Sequence, residues 1–180
     1  VFNFLQIRPI VETDQSSDID MDRVKPEEAI LFSQSALGNG EFTGLRDLVY
    51  VKPENWDAAA SKEIATIVEK LNMGFLDNKV AYVLVGPGRW GSSDPWLGIP
   101  VKWSQISAAR IIVESGLENF RIDPSQGTHF FQNLTSFRVG YMTINPFIGD
   151  GSYDTAYLDL LEAVYEDDYV RHVRFDAPLE

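Results

Sequence analysis

The stretch VAYVLVGPGRWGSSDPWLGIP, Val80 to Pro100, decides how this chain folds. It runs apolar from Val80 to Val85, then supplies Gly86, Gly88 and Gly91. A strand followed by G-x-G-x-x-G is the fingerprint of a dinucleotide-binding turn. In such a turn a helix begins inside the motif and its N-terminus receives the pyrophosphate. Here Ser92, Ser93, Asp94 and Pro95 follow, then Gly98 and Pro100. Two prolines and a glycine leave no room for the roughly ten-residue helix of a βαβ unit. Glu114 stands about where a ribose-binding acid would fall, but without the helix that coincidence carries no weight. The dinucleotide reading is excluded. Two readings of the loop remain. One is a long structured turn, with Trp90 and Trp96 plugging it onto the core and Arg89 a surface charge. The other is an anion pocket, in which the backbone N–H groups from Gly88 through Gly91 to Ser92 and Ser93, with the Arg89 guanidinium, hold a phosphoryl or carboxylate group.

Outward from this loop, the totals bound the class. A chain of 180 residues, 44% apolar and 12% aromatic, has enough for one folded domain with a core and an extra segment. No apolar run approaches the roughly 18 residues needed to span a bilayer, and no signal-like segment leads the chain. The absence of cysteine excludes disulfides and thiolate zinc sites. Cytoplasm is the expected compartment. Fifteen Lys and Arg against 27 Asp and Glu give a formal charge of −12, which repels phosphate backbones and acidic lipid. Neither nucleic acid nor membrane is an expected partner. The start at Val1, without methionine and inside an apolar run, points to a piece of a longer polypeptide.

Strands and helices alternate on both sides of the loop. VFNFLQIRPI, Val1 to Ile10, reads as a strand, and residues 12–28 as an acidic linker. AILFSQSALGNG is a strand ending at Gly38-Asn39-Gly40, and Leu45 to Val51 a second, stopped by Pro53. Asn55 is a plausible N-cap for a helix whose apolar side carries Ala58, Ile64, Ile67, Val68 and Leu71, ending near Gly74. ARIIVES before Gly116 reads as a strand, GTHFFQNLTSFRV as a short helix and GYMTINP as a strand. A short helix near Tyr157 to Leu161 and an edge strand YVRHVRF close the chain. This order predicts an α/β fold, α+β being the other possibility, with a mixed sheet and one main domain over residues 29–178.

The two histidines read differently. His172 alternates with apolar residues on the expected edge strand and should face solvent beside Arg171 and Arg174. His129 follows Gly127-Thr128 at an expected helix start, after the turn-rich DPSQ. A helix N-terminus offers free N–H donors and partial positive charge, which suit a phosphoryl group carried on imidazole. A neutral imidazole nitrogen is also able to attack phosphorus at physiological pH. The plainer role is a capping or packing histidine beside Phe130 and Phe131.

FLQIRPI, Phe4 to Ile10, resembles the end of the ATP-grasp domain in the phosphoenolpyruvate synthase and pyruvate phosphate dikinase family, where a strand L-Q-x-R-P closes the nucleotide site. The resemblance implies that Gln6 lies near the metal and Arg8 near the ATP phosphates. In that family a swivelling domain follows, with a histidine in a Gly-x-Thr-Ser/Cys-His-Ala-Ala pattern that shuttles phosphoryl to a separate pyruvate barrel. Gly127-Thr128-His129 is similar in order, though one residue is missing between Thr and His and Phe130-Phe131 replace the alanines.

The resemblance implies residues 1–11 as an ATP-grasp end strand, 12–28 as linker and 29–178 as a compact swivelling-type phosphohistidine-like β/α domain. The parent would be an ATP-dependent phosphotransferase, a kinase of pyruvate metabolism, using ATP and Mg2+. Its partners would be the ATP-grasp domain of the same polypeptide and pyruvate or a similar small substrate. His129 would be the phosphoryl carrier, with Arg89, Gly88, Gly91, Ser92 and Ser93 as anion contacts. The chain alone would bind no cofactor or metal and could not run the full reaction. The alternative is a non-catalytic docking or regulatory domain, with His129 structural and the glycine-tryptophan loop a contact surface.

Overall fold

Four apolar runs, each closed by Gly, Pro or Lys-Pro, become four adjacent parallel strands. The computed structural model describes residues 25, 28–37, 42–118, 130, 134 and 136–179. Gln6, Arg8, Gly127, Thr128 and His129 lie outside these residues, as do most of the expected linker and Gly38-Asn39-Gly40. In chain order the strands are β1 (Leu31–Phe32), β2 (Ser35–Leu37), β3 (Asp47–Val51), β4 (Tyr82–Pro87), β5 (Arg89–Trp90), β6 (Gly98–Ile99), β7 (Ala109–Ser115) and β8 (Gly140–Ile144). They are followed by β9 (Ser152–Tyr153), β10 (Ala163–Glu166) and β11 (Val170–Arg174). The α-helices with described bounds are α1 (Ser61–Asn78) and α2 (Thr155–Leu160).

The main sheet is mixed, in the order β10-β11-β3-β4-β7-β8-β2. β3, β4, β7 and β8 run parallel, and the outer strands β11, β10 and β2 are antiparallel to their neighbours. The fold is therefore α/β with a mixed sheet of seven strands. Parallel neighbours that step one way across a sheet, joined by right-handed crossovers, put every connection on one face. That face is packed by α1, the segment from Ile99 to Ala108, and Leu134, against Val49, Val51, Leu84, Ile112 and Tyr141. The other face holds Leu48, Val83, Val85 and Val113, met by α2, the β1/β9 pair and the chain end near Phe175 and Leu179.

The helix α1 shows why the outline follows from the sequence and its boundary does not. Ile64, Ala65, Val68, Asn72 and Phe75 are buried at helical spacing. Each large apolar side chain removed from water contributes about 1.5–3 kcal/mol. The helix was expected to end near Gly74, but it continues to Asn78 and closes at Lys79, with φ 56°. Phe75 explains the extra turn: its ring stacks on Tyr82 of β4 with centroids 4.3 Å apart. Asn55 caps nothing here; it belongs to a 3-10 turn, while Asp57 accepts the Ala59 N–H before a second such turn.

Other differences have equally local causes. The expected strand from Ala29 breaks at Ser33, whose hydroxyl donates to the Thr143 carbonyl at 2.7 Å, dividing β1 from β2. Of the helix expected over GTHFFQNLTSFRV, the described positions Phe130, Leu134 and Ser136 are helical, while Phe137 and Arg138 form a turn that leads into β8. The final strand is not at the edge. β11 lies between β10 and β3, so His172 does not face solvent. It is 7% exposed, 2.8 Å from Asp47 Oδ1, with its ring edge-on to Phe75. Among the described residues no helix is long and apolar enough to cross a membrane.

Candidate functional site

The carboxyl ends of β4, β7 and β8 meet beneath the glycine-tryptophan loop. After Pro87 the chain passes Gly88, with φ 76°, and enters a small parallel pair in which Arg89 faces Gly98 and Trp90 faces Ile99. Between β4 and β7 the described chain has only one 3-10 turn, Trp103–Gln105, and no α-helix. The reason the prolines gave for rejecting a dinucleotide fold therefore operates.

The glycine spacing has a packing cause. A Cβ on Gly86 would collide with the indole of Trp90, and one on Gly98 with the backbone of Arg89. A Cβ on Gly91, where φ is +82°, would lie 2.6 Å from the ring of Phe130. Trp90 is the plug the sequence suggested. It is 1% exposed, and its Nε1 donates to the Val113 carbonyl at 3.1 Å. Trp96 is not a plug: it projects from the loop tip, 74% exposed. Its backbone N–H is held by the Asp94 side chain, which fixes the tip without covering the indole.

The four backbone donors from Gly88 to Gly91 are engaged by the protein. Gly88 N–H donates to the Ser115 carbonyl at 3.1 Å, Arg89 N–H to Leu97 at 2.8 Å and Gly91 N–H to Ile99 at 2.8 Å. Trp90 N–H donates to Glu114 Oε1 at 3.0 Å. An anion nest built from these four groups would have to displace protein acceptors, which costs about a hydrogen bond each. The Ser92 hydroxyl donates to the Asp94 carbonyl at 3.0 Å and accepts from the Asp94 N–H at 3.2 Å. Of the side chains in the expected anion site, Arg89 is half-buried, Ser93 is exposed and Ser92 is committed to the turn.

The sequence reading set Glu114 aside as a coincidental ribose acid and did not see it as the carboxylate under the loop. Glu114 is 1% exposed on β7, and its Oε2 accepts the Tyr141 hydroxyl of β8 at 2.6 Å. With both oxygens used as acceptors, Glu114 clamps β7, β8 and the loop together. The signal was present in ARIIVES, where one acid interrupts an otherwise apolar buried strand, and such a residue is seldom buried unless paired. At the opposite end of the sheet, Asp47 and His172 form a second buried polar pair, with Arg174 Nη2 3.6 Å from Asp47 Oδ2.

The loop and the segment after His129 therefore meet through Gly91 and Phe130, while His129, Gln6 and Arg8 lie outside the described residues. Among the described residues no group of three His, Asp or Glu is arranged to hold a metal ion. No protein-family model, curated protein or solved structure matches the chain.

Proposed function

We propose that this chain is the C-terminal part of an ATP-dependent phosphotransferase of the phosphoenolpyruvate synthase or pyruvate phosphate dikinase type. Residues 29–178 act as its swivelling phosphohistidine-like domain. His129 is the phosphoryl carrier, and the Arg89 loop borders the phosphoryl group. The observation that supports this reading is the contact of Phe130 with Gly91, which joins the residue after His129 to the anion-candidate loop at the carboxyl edge of the parallel strands. Ligands in α/β folds gather at that edge. Gln6 and Arg8 belong to the ATP site of the preceding domain, where ATP and Mg2+ bind.

The test uses the full-length polypeptide and ATP labelled at the β-phosphate. Acid-labile, base-stable label is expected on the protein, lost in His129→Ala and reduced in Arg89→Met. Undiminished label in His129→Ala removes His129 as the carrier.

A second reading is favoured by the internal hydrogen bonds of Gly88 to Gly91 and by the exposure of Trp96. Under it the domain is a non-catalytic docking or regulatory module, the loop is a contact surface and His129 is structural. Complete absence of label in the full-length protein, with ATP binding intact, selects this reading.

A further inference from the structure

α1, the segment from Ile99 to Ala108, and Leu134 pack one face of the sheet, and among the described residues the opposite face is met by short elements. There an open cleft of about 970 Å³ remains. Its floor takes one apolar residue from each parallel strand: Leu48, Val83, Ile111 and Met142. One wall is α2 and β10, through Tyr157 and Val164, and the other is the chain end, through Phe175 and Leu179. The apolar surface continues outward, since Val164 is 60% exposed, Tyr157 42% and neighbouring Leu160 85%. Scattered exposed apolar residues mean little, but a contiguous patch adjoining an apolar cleft marks a binding surface.

Charge at the rim narrows the occupant. Glu28, Glu162, Asp176 and Arg174 border the cleft. Arg174 on this rim lies 3.6 Å from Asp47, and Glu28 is paired with Lys25 at 2.7 Å. Glu162 and Asp176 have no ion-pair partner among the described residues. A second copy of the chain would bring a formal charge of −12 against −12, and an acidic lipid would be repelled in the same way. We infer that this cleft docks an amphipathic segment of a partner protein, its apolar side chains filling the floor and its Lys or Arg residues meeting Glu162 and Asp176. Helix-in-groove recognition of this kind reads apolar anchors at i, i+3, i+4 and i+7, and rim charges set the choice of partner.

The probe is a fluorescein-labelled amphipathic peptide of about 18 residues, with Leu anchors on one helical face and Lys on both flanks. Its controls carry Glu in place of the flanking Lys, or Ser in place of Leu. Fluorescence anisotropy with the 180-residue chain should show the Lys-flanked peptide bound at least about tenfold more tightly than either control, a preference that weakens with salt. Val164→Asp, at an exposed position that leaves the core untouched, should reduce binding about tenfold or more. Glu162→Lys with Asp176→Lys should reverse the preference between Lys and Glu flanks. Equal binding of all three peptides, or indifference to Val164→Asp and to the rim reversal, overturns the inference. So does self-association in sedimentation that Val164→Asp abolishes, because a second copy would then be the occupant.

Discussion

Glu114 Oε1 accepts the backbone N–H of Trp90 at 3.0 Å, while Oε2 of the same carboxylate accepts the Tyr141 hydroxyl at 2.6 Å. One buried side chain thus joins the loop to β7, beside the Trp90 Nε1 and Gly88 N–H bonds, and adds a side-chain bridge from β7 to β8. Glu114→Ala strands both donors where water does not reach, at about 1–3 kcal/mol for each. Urea unfolding should show a loss of about 3 kcal/mol, with the denaturant slope unchanged. Tyr141→Phe removes only one donor and should cost about 1 kcal/mol. The double variant should cost less than the sum of the two, because they share a carboxylate. Additive losses would mean that the clamp is not a unit.

Asp47 and His172 make the parallel case at the amino end of the sheet. Asp47 is 1% exposed, and among the described residues its Oδ2 accepts no hydrogen bond, with the half-exposed Arg174 Nη2 3.6 Å away. His172→Phe keeps the ring volume against Phe75 but leaves the carboxylate without its close partner. Leaving a buried acceptor without its hydrogen-bond partner costs about 1–3 kcal/mol, whereas replacing both partners by apolar groups of the same shape is often nearly neutral. Asp47→Leu combined with His172→Phe should therefore unfold at higher urea than His172→Phe alone. The reverse order would show that Arg174 suffices for Asp47.

Alkaline titration reads the tyrosines. Burial pushes the Tyr50 phenol well above its ordinary value, helped by its hydrogen bond to Asp159 at 2.7 Å. Burial alone raises Tyr82, and burial with the nearby Tyr50 and Asp159 raises Tyr153. Tyr165 is pushed up to about 12, first by its hydrogen bond to Asp167 and then by desolvation. A phenol whose folded pKa is raised stabilises the fold fully below its unfolded value of about 10, and that contribution is lost as pH rises through the folded value. Of the seven tyrosines, Tyr50, Tyr82 and Tyr153 should stay un-ionised until the protein unfolds, and unfolding should begin above about pH 10. Phenolate absorbance followed with circular dichroism checks this. Seven tyrosines titrating together near pH 10 with the circular dichroism unchanged would contradict it.

What the sequence made legible was set by period and punctuation. ARIIVES became β7 with its expected bounds, because an apolar run closed by Gly116 has few alternatives. The prolines at 95 and 100 correctly forbade a helix after the glycines. Sequence could not say that Gly86, Gly91 and Gly98 make way for Trp90, Phe130 and Arg89, since those contacts depend on which strands become neighbours. His172 was misread for the same reason: an alternating strand looks alike whether it ends a sheet or lies inside it. Asn72 was invisible too, an amide in an apolar stripe that accepts from both the Tyr82 hydroxyl and the Ala108 N–H. Polar residues that join elements distant in sequence leave no local pattern.

The helix α1 carries its glycine one turn before its stop, and two opposite substitutions should both stabilise it. Gly74 lies inside the helix with nothing within 4 Å of where a Cβ would stand. Gly74→Ala removes backbone freedom from the unfolded chain at no steric cost and should add about 0.5–1 kcal/mol. Lys79 ends the helix in the left-handed region at φ 56°, its N–H donating to Leu76 at 3.1 Å while the Val80 N–H reaches Phe75 at 2.9 Å. A side chain with a Cβ is strained there by about 1 kcal/mol or more, and glycine is not. Lys79→Gly should therefore gain several tenths of a kcal/mol, after the glycine's larger unfolded-state entropy is subtracted. The sites are five residues apart on opposite sides of the final turn, so the two gains should add within about 0.5 kcal/mol. Urea midpoints of the two single variants and the double variant test this. A loss in Gly74→Ala would mean that something covers that side of α1, and a loss in Lys79→Gly would mean that its side chain holds the cap.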